Sequence, residues 1–232
     1  KTMSYTEEKK GSDIYLSPVG SHTHTLIWCH GLGDTAAGFY DVFSNADNTI
    51  VHASTKVILL TAPTRAVTIN MGMEMPAWYD YKKIAFQSLD ECIELDQLQE
   101  SKERINQVIE EEVALLGGDH KKIILGGFSQ GAATILYTAL EHSHDVGAVV
   151  SFSGHQLYEK IEDINTEKKS LPIFAYHGEL DPVLNFQMAF PFFEGLKEEG
   201  FKVEHHSEKS LAHSLSLKEL TLAKLFLIDA LS

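Results

Sequence analysis

The sequence predicts an α/β fold with a mostly parallel central sheet and helices on both faces. Three observations predict it. Short apolar runs bounded by turn residues recur at Thr25 to Cys29, Val57 to Leu60, Lys122 to Leu125, Gly147 to Phe152 and Pro172 to Tyr176. Runs of that length without polar alternation suit strands buried on both faces, as in parallel sheets. Longer segments with apolar residues at helical spacing lie between them. Alternation of the two calls for right-handed crossovers that place helices on both sides of the sheet.

The helices follow from spacing and stop signals. Leu98, Ile105, Val108, Ile109, Val113 and Leu116 form one stripe, Glu, Lys and Arg fill the other positions, and Gly117-Gly118 ends the helix. Gly131 to Leu140 is apolar on most sides, which predicts a helix packed deep. Phe186 to Glu199, closed by Gly200, is a third helix, and Leu217 to Leu231 a fourth. Phe201 to Glu204 reads as the last strand, followed by His205 and His206, whose side chains alternate between the two faces of the sheet. No repeat, low-complexity tract or Pro/Gly-rich linker interrupts the pattern, so residues 1–232 read as a single domain.

Composition narrows the function. A net charge of −14 excludes a nucleic-acid partner, because phosphate binding needs a concentrated basic surface. The acidic stretches Asp90 to Glu112 and Glu194 to Glu208 read as two solvated helix faces. No apolar run reaches the ~20 residues that span a bilayer, so at most transient contact with a membrane is expected. Two cysteines cannot build a disulfide framework. Cys29, inside an apolar run, reads as a buried thiol, and no apolar signal-like segment opens the chain. Both favour a cytoplasmic setting.

The chemistry centres on Gly127-Phe128-Ser129-Gln130-Gly131, between an apolar strand and an apolar helix. A serine hydroxyl is a poor nucleophile unless a sharp turn presents it to a base. Strand, Gly-x-Ser-x-Gly and helix together are the context of a nucleophile elbow. Glycines at 127 and 131 let neighbouring backbone approach where a side chain would collide. The new helix aims its N-terminal amides at the reacting centre. A tight turn without chemistry is the alternative, so the partners of Ser129 decide the matter.

In such folds the acid and base follow the serine in that order. Asp181 arrives just past the carboxyl end of the strand closing at Tyr176, the edge where open α/β sheets collect reactive groups. Glu179 is the rival carboxylate. His213 lies in the loop Ser210 to Ser216 before the last helix, while His205 and His206 lie in the body of the sheet. Ser129, Asp181 and His213 are therefore the expected catalytic triad. The Gly-rich loop His30-Gly31-Leu32-Gly33-Asp34 follows an early strand, so the amides of Leu32 and Gln130 are the expected oxyanion donors. No metal is expected: His22-x-His24 and His142-x-His144 lack a Cys or acidic partner at metal-site spacing and read as surface histidines.

Several segments, in order, resemble the acyl-protein thioesterases of the lysophospholipase/carboxylesterase family of small α/β-hydrolases. They are His30 to Asp34, Ala62 to Asn70, Met75 to Asp80, Gly127 to Gly131, His177-Gly-x-x-Asp181 and Ala212 to Ser214. The stretch Ala62 to Asp80 discriminates best, since α/β-hydrolases at large lack it. The resemblance covers roughly Thr25 to Leu231. It implies the same triad and oxyanion amides, no cofactor, and hydrolysis of acyl thioesters on S-acylated proteins. A carboxylesterase or lysophospholipase acting on oxyesters is the alternative, and a catalytically silent lipid-binding fold is the alternative of another class. Met71, Met73, Met75 and Trp78 either line an acyl groove, where flexible thioethers accommodate varied chains, or pack the core. Apolar residues flanking such a groove make a weak homodimer an expectation. The family's glycine shortly before the histidine is Ser210 here, and no cysteine precedes Cys29 to carry an N-terminal acyl anchor.

Overall fold

The computed structural model describes residues 5–45, 49–85 and 88–232. Its first elements are β1 (Tyr5–Lys10), β2 (Asp13–Pro18), β3 (His24–Cys29), α1 (Tyr40–Ser44), β4 (Thr55–Leu60), β5 (Thr64–Val67), β6 (Met73–Pro76), α2 (Leu89–Cys92) and α3 (Leu95–Leu115). Then come β7 (Ile123–Phe128), α4 (Gln130–Glu141), β8 (Ala148–Phe152), β9 (Ile173–Gly178), α5 (Phe186–Glu198), β10 (Val203–Glu208) and α6 (Leu217–Ala230). The main sheet runs β1-β2-β4-β3-β7-β8-β9-β10, and its β1–β2 and β2–β4 pairings are antiparallel. The remaining pairings are parallel. This is the α/β-hydrolase architecture that the sequence predicts.

Each central strand is apolar throughout because both its faces are covered. On one side Ile27, Leu125 and Val149 pack with Ile105 and Ile109 of α3 and Ile135 and Ala139 of α4. On the other, Trp28, Val150 and Phe174 meet Phe39, Phe43 and, on α6, Phe226. Helix α3 ends where predicted, with Gly117 and Gly118 both at positive φ.

The hairpin β1–β2 and the small β5–β6 hairpin are additional to the predicted elements. The acidic stretches also differ from two solvated helix faces. Glu112 is buried, accepting from Thr25 Oγ1 at 2.8 Å and from Lys56 Nζ at 2.5 Å. The second stretch is divided between the end of α5 and the edge strand β10.

Register sets the position of the site. Cys29 pairs with Gly127, Phe128 with Phe152, and Phe152 with Tyr176. The carboxyl ends of β3, β7, β8 and β9 are therefore level, and the loops that leave them converge on one edge. Among the described residues no helix is long and apolar enough to cross a membrane.

Candidate active site

Ser129 occupies the apex between β7 and α4 with φ 56° and ψ −121°, a conformation that L-residues rarely adopt. The surroundings over-determine it. Its N–H donates to Phe152 O at 2.8 Å and its carbonyl accepts from Ala133 N at 3.1 Å. A Cβ at Gly131 would stand 2.2 Å from Cys29 O, and one at Gly127 would stand 2.7 Å from the Gly131 carbonyl carbon. Both glycines are required by close approach, since β7 and the first turn of α4 lie almost against β3.

Around this apex the structure brings together the three residues expected as a triad. Ser129 Oγ lies 2.9 Å from His213 Nε2, and His213 Nδ1 lies 2.6 Å from Asp181 Oδ2. His213 reaches the elbow from the loop between β10 and α6, packing its ring on Phe128 with centroids 4.8 Å apart. Ser210, which replaces the family glycine in this loop, is not among the residues at positive φ, so its backbone does not need glycine. Asp181 Oδ1 accepts the N–H groups of Val183 and Leu184, both at 2.8 Å. Burial alone would raise the Asp181 pKa, but hydrogen bonds from His177, His213 and the Leu184 N–H outweigh it and hold the carboxyl well below its ordinary range. Glu179 is exposed and accepts from Ser207 Oγ instead. His205 stacks on Phe190 and His206 lies tilted against Phe174, so neither joins the Ser129 pair.

The loop His30 to Asp34 is drawn tightly against the elbow. A Cβ on Gly31 would come within 3.3 Å of Ser129 Cβ, while Gly33 takes φ 79° and donates its N–H to Pro76 O at 2.8 Å. The Leu32 N–H makes no hydrogen bond among the described residues. Gln130 is the first residue of α4, where an amide has no carbonyl partner within its own helix. The Leu32 loop and the first turn of α4, each with an amide that makes no hydrogen bond among the described residues, thus both adjoin Ser129.

Two further residues, and the side chain of a third, build the site without having been singled out as functional in the sequence. His177 is buried, with Nε2 2.9 Å from Leu184 O and 3.3 Å from Asp181 Oδ2. Only the four-residue spacing His177 to Asp181 hints at it. His30 Nδ1 lies 2.6 Å from Gly31 O, and its Nε2 accepts from Ala62 N at 2.9 Å, which fastens the loop to the end of β4. The Gln130 side chain bridges Trp78 N and Tyr79 O at 2.9 and 2.7 Å. The His30–Ala62 and Gln130 contacts join segments distant in sequence, so periodicity could not reveal them.

The methionine and tryptophan set divides. Trp78 belongs to the core rather than to a groove: it is wholly buried, its Nε1 donates to His30 O at 2.9 Å, and its ring meets that of His30. Burying so large a side chain with its one donor satisfied is its best use. Met75 is half-buried beside Gly33 and receives Asn70 Nδ2 at 3.3 Å. Met71 and Met73 project from the β5–β6 hairpin, 91% and 55% exposed. The expectation of surface histidines also fails for His142, which is buried.

Residues 14–230 match the family described as Phospholipase/Carboxylesterase. The chain is 32% identical to Acyl-protein thioesterase 1 homolog 1 of Dictyostelium discoideum, over 92% of this chain and 93% of that protein. It is 33% identical to Acyl-protein thioesterase 1 of Yarrowia lipolytica, over 90% and 92%. Among solved structures it superposes on acyl-protein thioesterase 2 of Zea mays with a TM-score of 0.77 at 25% identity, covering 96% of this chain and 100% of that one. Arabidopsis thaliana SOBER1 gives a TM-score of 0.78 at 25% identity, covering 90% and 100%. With an elbow serine inside this architecture, the chain belongs to the phospholipase/carboxylesterase family of α/β-hydrolases and is a serine hydrolase.

Proposed function

We propose that this enzyme removes long acyl groups from S-acylated proteins, with Ser129 as nucleophile, His213 as general base and acid, and Asp181 as the group that orients His213. Ser129 Oγ attacks the thioester carbonyl carbon as its proton passes to His213 Nε2. The carbonyl oxygen, now negative, is met by the amides of Leu32 and Gln130. Collapse breaks the carbon–sulfur bond, and the departing sulfur takes the proton from His213. A water then attacks the acyl-enzyme, giving its proton to His213, and the fatty acid leaves as Ser129 recovers its hydrogen. Preorganised amides are worth about 3 kcal/mol each to such a barrier.

The observation that carries the reading is the continuous hydrogen-bonded path from Asp181 through His213 to Ser129, with unclaimed amides beside it. The names of the similar thioesterases support the choice of substrate. Exposed Met71, Met73, Leu180 and Val183 offer apolar surface for an acyl chain, for passing contact with a membrane or for a weak dimer. A reducing, cytoplasmic setting accords with the buried thiol of Cys29.

A serine-directed fluorophosphonate should label the protein and leave Ser129→Ala unlabelled. Turnover of acyl thioesters should rise with chain length from acetyl to palmitoyl and fall by roughly 10⁶ in the variant. Turnover confined to short oxyesters would favour a carboxylesterase instead. Equal labelling of the variant would leave a silent lipid-binding fold.

A further inference from the structure

A second cluster of reactive side chains lies at the opposite end of α4 from Ser129. His120 opens the short turn before β7, His142 follows α4 directly, and His144 lies two residues further along the loop to β8. One ring nitrogen of each lies within 4.8 Å of the other two. Glu110, on α3, directs Oε1 to both His120 Nε2, at 3.1 Å, and His142 Nε2, at 3.4 Å. Asn106, one turn earlier on the same helix, has its Oδ1 3.1 Å from His142 Nδ1. The rings of His120 and His144 are stacked, with centroids 4.2 Å apart.

The protonation pattern of this cluster is informative. An amide oxygen can only accept, so Asn106 Oδ1 fixes the proton of His142 on Nδ1. Nε2 of His142 is then a lone pair. It is buried and has no hydrogen-bond partner, yet it faces a carboxylate oxygen at 3.4 Å. Two electron-rich atoms at that separation, one of them shielded from water, call for a cation between them. Glu110 is the carboxylate that approaches both His120 Nε2 and His142 Nε2. Asp145 cannot serve as a neutralising partner, since its carboxylate is already held by Lys168 and Lys121 at 3.1 and 3.5 Å.

We propose that His120, His142 and His144, with Glu110 as the fourth donor, bind a divalent first-row transition ion, in the first instance Zn²⁺. Three imidazoles and one carboxylate are a donor set suited to tetrahedral zinc. Bonds of 2.0–2.1 Å place neighbouring donors about 3.4 Å apart. Rotation of the exposed His144 and the half-buried His120 closes the set to that size, while Asn106 already orients His142 from behind, as outer partners of ligating histidines do. The ion would tie together α3, the entry to β7 and the exit of α4. Helix α4 has 12 residues, so its far end lies about 18 Å along the helix axis from Ser129. The site is therefore one that stabilises the fold, separate from ester chemistry.

The test uses the full chain, stripped with chelator and dialysed, then titrated with ZnCl₂ by calorimetry. One equivalent should bind with a micromolar or lower Kd, and zinc at about a hundred times that Kd should raise Tm by about 5–10 °C. Co²⁺ in place of zinc should show the intense visible bands of a tetrahedral ion. His120→Ala and His144→Ala, both changes near the surface, should each weaken binding at least tenfold and remove the Tm rise. Turnover of a small ester by the metal-free variants should match that of the metal-free parent, which also reports that they fold. Binding weaker than about 1 mM, or equally tight binding by a variant carrying both His120→Ala and His144→Ala, would overturn the proposal, the latter by assigning zinc to other histidines of the chain.

Discussion

Asp181 is surrounded by donors on every accessible side. Oδ1 takes two backbone N–H groups, and Oδ2 takes His213 with His177 close behind. A carboxyl held this far below its ordinary range stays ionised wherever the imidazole can act as a base. Its contribution to stability is present above the unfolded carboxylate range and is lost only as pH falls through the lower folded value. Asp181→Asn keeps the shape but offers an amide N–H where His213 needs an acceptor, so kcat should fall by ~10⁴ in steady-state assays with an acyl thioester. His177 acts at one remove, as a positioning residue. Removing its N–H from a buried, ionised partner costs about 1–3 kcal/mol, so His177→Leu should lower kcat about tenfold or more with KM little changed. His177→Gln retains an N–H donor and should recover part of the loss. An unchanged kcat in His177→Leu would remove His177 from the site.

At the scale of elements, the elbow depends on three backbones meeting where no side chain fits. In Gly131→Ala the new methyl would stand 2.2 Å from Cys29 O and 2.4 Å from His30 O, backbone atoms at the end of β3 and in the loop that leaves it. Neither can rotate away. The substitution should cost about 2–4 kcal/mol by urea denaturation. It should also depress turnover in whatever fraction folds, since it pushes the Gln130 amide from Ser129. A variant as stable and active as the parent would refute this packing account. The central strands were legible in sequence because burial on both faces leaves an unbroken apolar run. The meeting of Ser129, Asp181 and His213 was legible because strand order forces the residues that gather at this edge into a fixed chain order. Strand β1 was not, since Thr6 to Lys10 is polar and exposed along its length and gives no apolar pattern to read. The sequence leaves Trp78 open between groove and core, because aromatic residues serve both and only the partner of its N–H decides. The relation of His120 and Glu110 to His142 was invisible for a similar reason: the ligand spacing that identifies common metal motifs is absent, and the approach of α3 to two loops creates the cluster.

Across the whole molecule, an excess of acid must be accommodated, and one carboxyl is accommodated badly. Glu219 opens α6 in a capping box with Ser216, whose N–H it receives and whose Oγ accepts the Glu219 N–H at 3.2 Å. Its side chain is fully buried, and Oε2 has no partner. Burial raises its pKa, the Ser216 hydrogen bond lowers it and nearby Glu208 raises it again, leaving it at about 8. Glu208 itself is ionised beside it, accepting from Tyr176 OH at 2.8 Å and Ser216 Oγ at 3.0 Å. The sign follows from proton counting. Between the ordinary value of 4.5 and about 8 the folded chain holds a proton that the unfolded chain has released. Folding stability from this group is therefore complete below about 4.5 and declines as pH rises toward 8, by on the order of a few kcal/mol in all. Glu219→Gln keeps the accepting oxygen of the capping box and cannot ionise. Thermal melts of parent and variant should nearly coincide at pH 5, and by pH 8.5 the variant should melt about 5 °C or more above the parent. Because every other titrating group is common to both proteins, the difference between the curves isolates Glu219. Curves that stay parallel from pH 5 to 8.5 would mean that the Glu219 carboxyl ionises without strain inside the fold.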